Sequence, residues 1–96
     1  MKSLYELAIK TFGADKQTDV AIEECSELIK AICKYRRGSE KEPAQVSHIA
    51  EEIADVQIML EQLNIIFNCP NEVAIYRGAK LARLKDILEA NIGGVK

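Results

Sequence analysis

The chain has 96 residues, a formal net charge of −2 and an isoelectric point near 5.4. This length predicts a single domain covering residues 1–96, and the acidic balance argues against a nucleic-acid polymer as partner, since such partners favour a basic face. Hydrophobic residues make up 48% of the chain, which excludes a disordered protein, and no apolar run approaches the length of a membrane span.

The cysteines and the N-terminal stretch indicate a cytoplasmic protein. Cys25, Cys33 and Cys69 are odd in number and form no Cys-x-x-Cys pair, so reduced thiols are the simplest interpretation. Plain packing in the core is the expected role of Cys25. The acid Glu6 interrupts the N-terminal stretch early, and a signal peptide does not have this pattern.

Helical periodicity predicts an all-α fold with a four-helix core, beginning with two helices separated by a glycine. Ser3 heads a capping-box pattern that would open the first helix, and Gly13 is its expected stop. The second helix is expected from about Asp15 or Thr18 to Arg37. The predicted core stripe of this helix consists of Ile22, Cys25, Leu28, Ile29, Ile32 and Arg36.

The third and fourth helices are predicted on either side of a clear turn sequence. Pro43 fits the first turn of the third helix, because its missing N–H is not needed there. The turn Asn68-Cys69-Pro70-Asn71 ends this helix, with Asn71 as the cap of the fourth helix and Gly93-Gly94 as its end. The apolar stripes consist of Ile49, Ile53, Val56, Leu60, Leu63 and Phe67 in the third helix and Val73, Tyr76, Lys80, Leu84, Ile87 and Leu88 in the fourth.

The second and third helices each carry two acids three residues apart: Glu24 with Glu27, and Glu52 with Asp55. Residues three apart are neighbours on a helix, so each pair can present two oxygen ligands to one spot. The midpoint between the pairs lies in the loop-like run 36–43, so antiparallel helices folded about this loop would place the pairs level. Four carboxylates at one height would repel strongly. A divalent cation resolves the repulsion, and Mg²⁺, with Mn²⁺ as a substitute, is the usual choice where phosphates are handled.

Acids on helices are more often solvated than functional. The choice between solvation and metal binding therefore depends on whether one acidic pair or two are considered. A single pair is expected to face water. Two level pairs embedded among apolar residues favour a metal site instead. A ferritin-like di-iron site does not fit, because it uses Glu-x-x-His and the single histidine, His48, precedes Glu52 by four residues. His48 is therefore expected at the surface or beside the site.

The run Glu23-Glu24-Cys25-Ser26-Glu27, followed by Glu52-Ile53-Ala54-Asp55, resembles the MazG-type all-α nucleoside triphosphate pyrophosphohydrolases. The resemblance covers roughly residues 18 to 90. It implies a four-helix core, Mg²⁺ dependence and assembly as a homodimer or homotetramer. It also implies cleavage of a nucleotide between its α and β phosphates, which yields nucleoside monophosphate and pyrophosphate.

The same resemblance implies roles for individual residues. The metal ligands it implies are Glu24, Glu27, Glu52 and Asp55. Glu23 would be an accessory catalytic acid. The run Lys80-Leu81-Ala82-Arg83 is similar to the family's cation pattern on the next helix, so Lys80 and Arg83 are expected to bind the substrate phosphates.

Two functional hypotheses of different classes follow. In the first, the acids bind Mg²⁺, the ion lowers the pKa of a bound water, and basic side chains steady the triphosphate of a nucleotide. In the second, the chain is a non-catalytic helical dimerisation module whose third and fourth helices form the interface, and the acids are a vestige or a structural metal site. Nucleotide turnover with Mg²⁺ separates the two hypotheses. Base, sugar and oligomer size stay open at this point.

Overall fold

The computed structural model describes residues 2–39 and 41–92, which form four α-helices. In chain order these are α1 (Lys2–Phe12), α2 (Ala14–Arg37), α3 (Pro43–Ile66) and α4 (Pro70–Ile92). No strand occurs in this described part of the chain, so the all-α prediction is confirmed. Over the same residues, none of the helices has both the length and the apolar character needed to cross a membrane.

Local signals separate the helices at the predicted places. Gly13 lies between α1 and α2 with a φ of 91°, a left-handed conformation that favours glycine. Asn68 follows the end of α3 with a φ of 51°, and asparagine tolerates this conformation better than most side chains. Pro43 is the first residue of α3, where its missing N–H costs no hydrogen bond.

The predicted capping box at Ser3 is wrong, and a different helix carries one. Ser3 lies inside α1, which begins one residue earlier, so it does not occupy the N-cap position. The capping box of the structure opens α3, where the Glu42 N–H donates to Oε1 of Gln45 at 3.2 Å. This exchange satisfies backbone donors at the start of α3 that have no partner within the helix.

The N-cap predicted for the fourth helix at Asn71 is wrong as well, and lies two residues too late. The helix α4 begins at Pro70, and the Val73 N–H donates to the Cys69 carbonyl at 3.0 Å. Cys69 therefore stands at the start of α4, and Asn71 lies inside its first turn. The predicted stop at Gly93-Gly94 lies outside the described residues.

The main packing contact of the fold joins α2 to α3. Nε2 of Gln17 donates to Oε1 of Gln62 at 2.7 Å, and both residues are buried. Seven residues further along α2, a carboxylate oxygen of Glu24 lies within 4.8 Å of one of Asp55, which is seven residues back along α3. Position along α2 therefore rises as the contacted position along α3 falls.

The connection between α2 and α3 is held by Lys41, which the sequence patterns do not single out. Its Nζ donates to the backbone carbonyls of Tyr35 and Gly38, the latter at 2.7 Å, and lies 4.8 Å from the centroid of the Tyr35 ring. A cation at the free carbonyls of a helix C-terminus is favourable. Beside this connection Ala31 and His48 line one cavity. They lie seven residues beyond Glu24 on α2 and seven residues before Asp55 on α3, so the same pairing of the two helices extends to this end.

The predicted core stripe of α2 is largely exposed in this chain, and this prediction is corrected. Ile22 exposes 68% of its surface and Ile29 61%, and Cys25 is exposed as well. The stripe with low exposure lies about 100° around the helix from Ile29. It consists of Gln17, Ala21, Glu24, Leu28, Ala31 and Tyr35.

The apolar stripe predicted for α3 is exposed in part. Ile53, Leu60 and Phe67 are exposed, whereas the other three members are half-buried: Ile49, Val56 and Leu63. The buried residues of α3 are Glu52, Met59 and Gln62, which belong to the neighbouring face. Helical periodicity identifies apolar stripes correctly here, but it does not say which stripe meets another part of the same chain.

The chain is more extended than a compact domain of its length. Its radius of gyration is 17.5 Å, whereas about 12.5 Å is typical of a compact 96-residue domain. Among the described residues the buried apolar ones are Ala21, Ala31 and Met59. All described residues of α4 are exposed, and this helix contacts α3 but neither α1 nor α2.

Replacing Gln17 by Ala is expected to lower the free energy of unfolding by about 1–3 kcal/mol, because Gln62 then loses its buried partner. Urea denaturation followed by circular dichroism at one protein concentration measures this change. The matched control is Gln57→Ala, which alters an exposed glutamine on α3 and should change stability by less than about 0.5 kcal/mol. Equal losses in the two variants would show that the buried pair contributes nothing specific.

Candidate metal centre

Three of the predicted acids come together between α2 and α3. One carboxylate oxygen from each of Glu24, Glu52 and Asp55 lies within 4.8 Å of the other two. The helix α2 supplies Glu24, and α3 supplies the other two from the face that it turns toward α2. Glu52 and Asp55 reach the same spot because residues three apart lie on one side of a helix.

Glu52 is the most buried member of this cluster. Only 7% of its surface is exposed, and its Oε2 atom has no hydrogen-bond partner among the described residues. A buried carboxylate oxygen without a donor is costly, and native proteins normally supply a partner. A hydrogen-bond donor or a cation would satisfy this oxygen.

The Glu24 carboxyl shows the effect of crowding negative groups. Burial raises the pKa of Glu24 above its ordinary value, and a hydrogen bond shared with the Asp55 carboxyl raises this pKa further. The negative charges of Asp55, Glu52 and Glu27 act in the same direction. Positive charge placed among these groups would remove the repulsion.

In the presence of a chelator, the Glu24 carboxyl is expected to make the protein less stable as pH rises. Its folded-state pKa lies above the ordinary value of 4.5, so above pH 4.5 the folded chain binds more protons than the unfolded chain. The stabilisation from this group is complete below the unfolded pKa and is lost as pH rises through the folded pKa. Thermal melts of the parent and Glu24→Gln across this range measure the difference, and parallel pH profiles would contradict the assignment.

Glu27 and Glu23 lie beside this cluster and are not drawn into it. Oε1 of Glu27 lies 3.4 Å from Nζ of Lys30, in a pair whose side chains are 48% and 71% exposed respectively. Its charge still acts on the nearby Glu24. Glu23 is exposed on α2. The structure therefore groups three of the four predicted metal ligands and leaves Glu27 in a surface ion pair.

The two cations predicted to bind phosphate are not among the residues grouped with the acids. Lys80 and Arg83 are exposed on α4, which makes no contact with α2. Lys80 instead borders a concave apolar strip along α4 together with Val73 and Tyr76. Within a single chain, the acids and these cations belong to different surfaces.

His48 lies next to the carboxylate cluster and belongs to a second group of potential ligands that also contains Glu52. A ring nitrogen of His48 and one oxygen each from Glu51 and Glu52 lie within 4.8 Å of one another. His48 and Glu51 are exposed, which agrees with the surface position predicted for the histidine. Glu52 is thus common to the carboxylate cluster and to this second group.

The buried pair of Gln17 and Gln62 was missed by the sequence patterns, although a signal for it exists. Gln17 precedes Glu24 by seven residues and Gln62 follows Asp55 by seven, which places both amides on the faces that carry the acids. Nε2 of Gln62 also lies 3.7 Å from the sulfur of Met59. An uncharged polar layer therefore sits two helical turns from the carboxylates.

The donor set of the carboxylate cluster fits a hard divalent cation. Glu24, Glu52 and Asp55 offer only carboxylate oxygens, which suit Mg²⁺, Mn²⁺ or Ca²⁺, whereas structural zinc sites are built mainly from cysteine and histidine. Ligand oxygens on opposite sides of Mg²⁺ are about 4.2 Å apart. The three oxygens of the cluster lie within 4.8 Å of one another, which is slightly more.

Comparisons of the chain with protein-family models, with curated proteins and with solved structures found no match.

Proposed function

We propose that this protein is a Mg²⁺-dependent nucleoside triphosphate pyrophosphohydrolase that works as a homo-oligomer. The observation that carries the proposal is the buried, unpartnered Oε2 of Glu52 beside the carboxylates of Glu24 and Asp55. Acids that merely solvate a helix are exposed. These three carboxylates instead lie close together between two helices, although charge repulsion and desolvation both disfavour that arrangement. The resemblance of residues 23–27 and 52–55 to the MazG-type enzymes supports the same reaction.

The acids belong, in this proposal, to an antiparallel hairpin of α2 and α3. The contact between the helices moves from Gln17 and Gln62 to Glu24 and Asp55, seven residues forward on one helix and seven back on the other. Helices that run in opposite directions produce this reversal. The hairpin would thus hold the two acidic pairs at one height.

Each predicted residue has a distinct part in the proposed reaction. A bound Mg²⁺ would neutralise phosphate charge and lower the pKa of a water molecule. Glu24, Glu52 and Asp55 would hold the ion, and Glu27 would join them once it leaves Lys30. Glu23 would accept a proton from the attacking water. The substrate-binding cations would be Lys80 and Arg83, placed by assembly of the oligomer.

Incubating the full chain with a panel of ribonucleoside and deoxyribonucleoside triphosphates and Mg²⁺ tests this reaction. Nucleoside monophosphate and pyrophosphate should form in equal amounts, and a chelator should stop their release. Formation of nucleoside diphosphate and orthophosphate would contradict cleavage between the α and β phosphates. The panel also identifies the preferred base and sugar.

The second candidate is a non-catalytic helical dimerisation module with a structural metal site. The exposed apolar stripes of α3 and α4, the helices expected to form its interface, favour it, because they offer an association surface whatever the acids do. Under this alternative no nucleotide of the panel would be hydrolysed. Mg²⁺ would raise stability if the acids form a structural metal site, and would leave it unchanged if they are a vestige.

A further inference from the structure

The group of His48, Glu51 and Glu52 lies on one side of α3, beside the carboxylate cluster. Its three ligand atoms, one ring nitrogen and two carboxylate oxygens, lie within 4.8 Å of one another. Residues three or four positions apart share a face of a helix, which is why these side chains converge. Three protein ligands around one point are the usual number at a zinc site that keeps a position open for water or a bound molecule.

The ring nitrogen of His48 distinguishes this group chemically from the carboxylate cluster. Mg²⁺ takes oxygen ligands, whereas imidazole nitrogen suits transition-metal ions such as Zn²⁺, Fe²⁺ and Ni²⁺. Zinc binds nitrogen and oxygen at about 2.0–2.2 Å, so the atoms that bind it stand about 3.3–4.2 Å apart. The group is close to this spacing, and the exposed side chains of His48 and Glu51 can rotate to complete it.

The buried carboxylate of Glu52 is a second observation that points to a ligand. Its Oε2 has no hydrogen-bond partner among the described residues, and only 7% of the surface of Glu52 is exposed. The ring nitrogen and the Glu51 oxygen that lie near this carboxylate are both metal ligands, so an ion bound among the three would satisfy it. A carboxylate has two oxygens and about four lone pairs. Glu52 can therefore serve one ion on the side of Glu24 and another on the side of His48.

The charge of the two groups also favours more than one ion. Together they contain four carboxylates, from Glu24, Glu51, Glu52 and Asp55, with a total charge of −4 when all are ionised. One Mg²⁺ neutralises half of this charge. A second divalent ion neutralises the other half, and a neutral imidazole adds a ligand without adding charge.

We infer that His48, Glu51 and Glu52 form a second metal site, which binds a transition-metal ion of the Zn²⁺ type and shares Glu52 with the carboxylate cluster. His48 also lines a cavity of 300 Å³ together with Lys34 and Gln45, which has room for water or an anion on the open side of the ion. The inference goes beyond the proposed function, because neither His48 nor Glu51 has a part in the proposed reaction. It holds whether or not a nucleotide is the substrate.

Titrating the full chain with Zn²⁺ in saturating Mg²⁺, followed by proton NMR, tests the inference. The chain contains one histidine. Its imidazole signals therefore report an ion at His48 alone, even where Zn²⁺ also binds a cysteine thiolate. Zinc buffers set the free Zn²⁺ concentration, and the signals should shift and saturate in its micromolar range. Signals that do not move with Zn²⁺ in the parent chain would overturn the inference, and this result depends on no variant.

Glu51→Gln should raise the free Zn²⁺ concentration at half-saturation at least about tenfold, because one ligand is lost. Glu51 is exposed, so the change should leave the fold intact. The matched control is Glu72→Gln, which removes the same charge from an exposed acid of α4 and should leave zinc binding unchanged.

Two outcomes of this comparison would contradict the site. Equal zinc affinities of the parent and Glu51→Gln would mean an adventitious ion on the histidine only. A loss in Glu72→Gln as large as that in Glu51→Gln would assign the effect to general charge. No nucleotide is present in these measurements, so the inference and the proposed reaction can fail separately.

Discussion

Replacing Glu52 by Gln or Asp55 by Asn is expected to reduce pyrophosphate release about a hundredfold or more. Each change keeps the size of the side chain and removes one charge from the carboxylate cluster. Loss of one ligand from a metal-assisted site costs several kcal/mol of transition-state stabilisation, and a hundredfold change in rate corresponds to about 2.7 kcal/mol. Steady-state kinetics with saturating Mg²⁺ measure the loss as kcat and kcat/KM.

The control for these variants is Glu6→Gln, which removes the same charge from an exposed acid of α1. It should retain the activity of the parent. Glu27→Gln is informative beside them, since a loss as large as that of Glu52→Gln would assign Glu27 to the metal, whereas near-parent activity would leave it paired with Lys30. Full activity in both Glu52→Gln and Asp55→Asn would remove the cluster from the proposed mechanism.

Saturating Mg²⁺ or Mn²⁺ is expected to raise the free energy of unfolding by about 2.7 kcal/mol when the free ion is about a hundredfold above its dissociation constant. The ion would bind only the folded chain, where Glu24, Glu52 and Asp55 are already gathered. It would also replace the mutual repulsion that raises the Glu24 pKa. Thermal melts with the ion and with a chelator measure the gain.

Two controls make this stabilisation specific. A sodium salt at matched ionic strength accounts for general screening of the acids. Glu52→Gln should lose most of the Mg²⁺-dependent gain, because the buried ligand is gone. Identical melting temperatures of the parent with and without the divalent ion would rule out the metal centre and leave only the dimerisation module in which the acids are a vestige.

Much of the secondary structure was predictable because its signals act over a few residues. Gly13 ends α1 through a backbone conformation that other residues avoid, and Pro43 opens α3 because it needs no N–H partner there. The caps at Ser3 and Asn71 were misplaced, because a capping residue competes with its neighbours for the same few backbone donors.

The candidate site was predictable in part, because the spacing of acids on a helix determines which of them share a face. Glu24, Glu52 and Asp55 lie together as their spacing indicates. Glu27 shares that spacing, yet it pairs with Lys30, since a flexible surface acid takes the nearest cation. Lys80 and Arg83 show a further limit, because spacing within α4 says nothing about where that helix lies relative to the acids.

The sequence by itself determined four helices, their apolar stripes and the residues that could gather into a carboxylate cluster. Only the tertiary structure decided which stripes meet. On α2 the packed stripe carries Ala21 and Ala31, and small side chains let two helices approach closely, whereas bulky Ile22 and Ile29 remain exposed on another face of the helix. Periodicity specifies the faces of a helix, but the partner of each face depends on the shape and charge of distant segments, and these meet only when the chain folds.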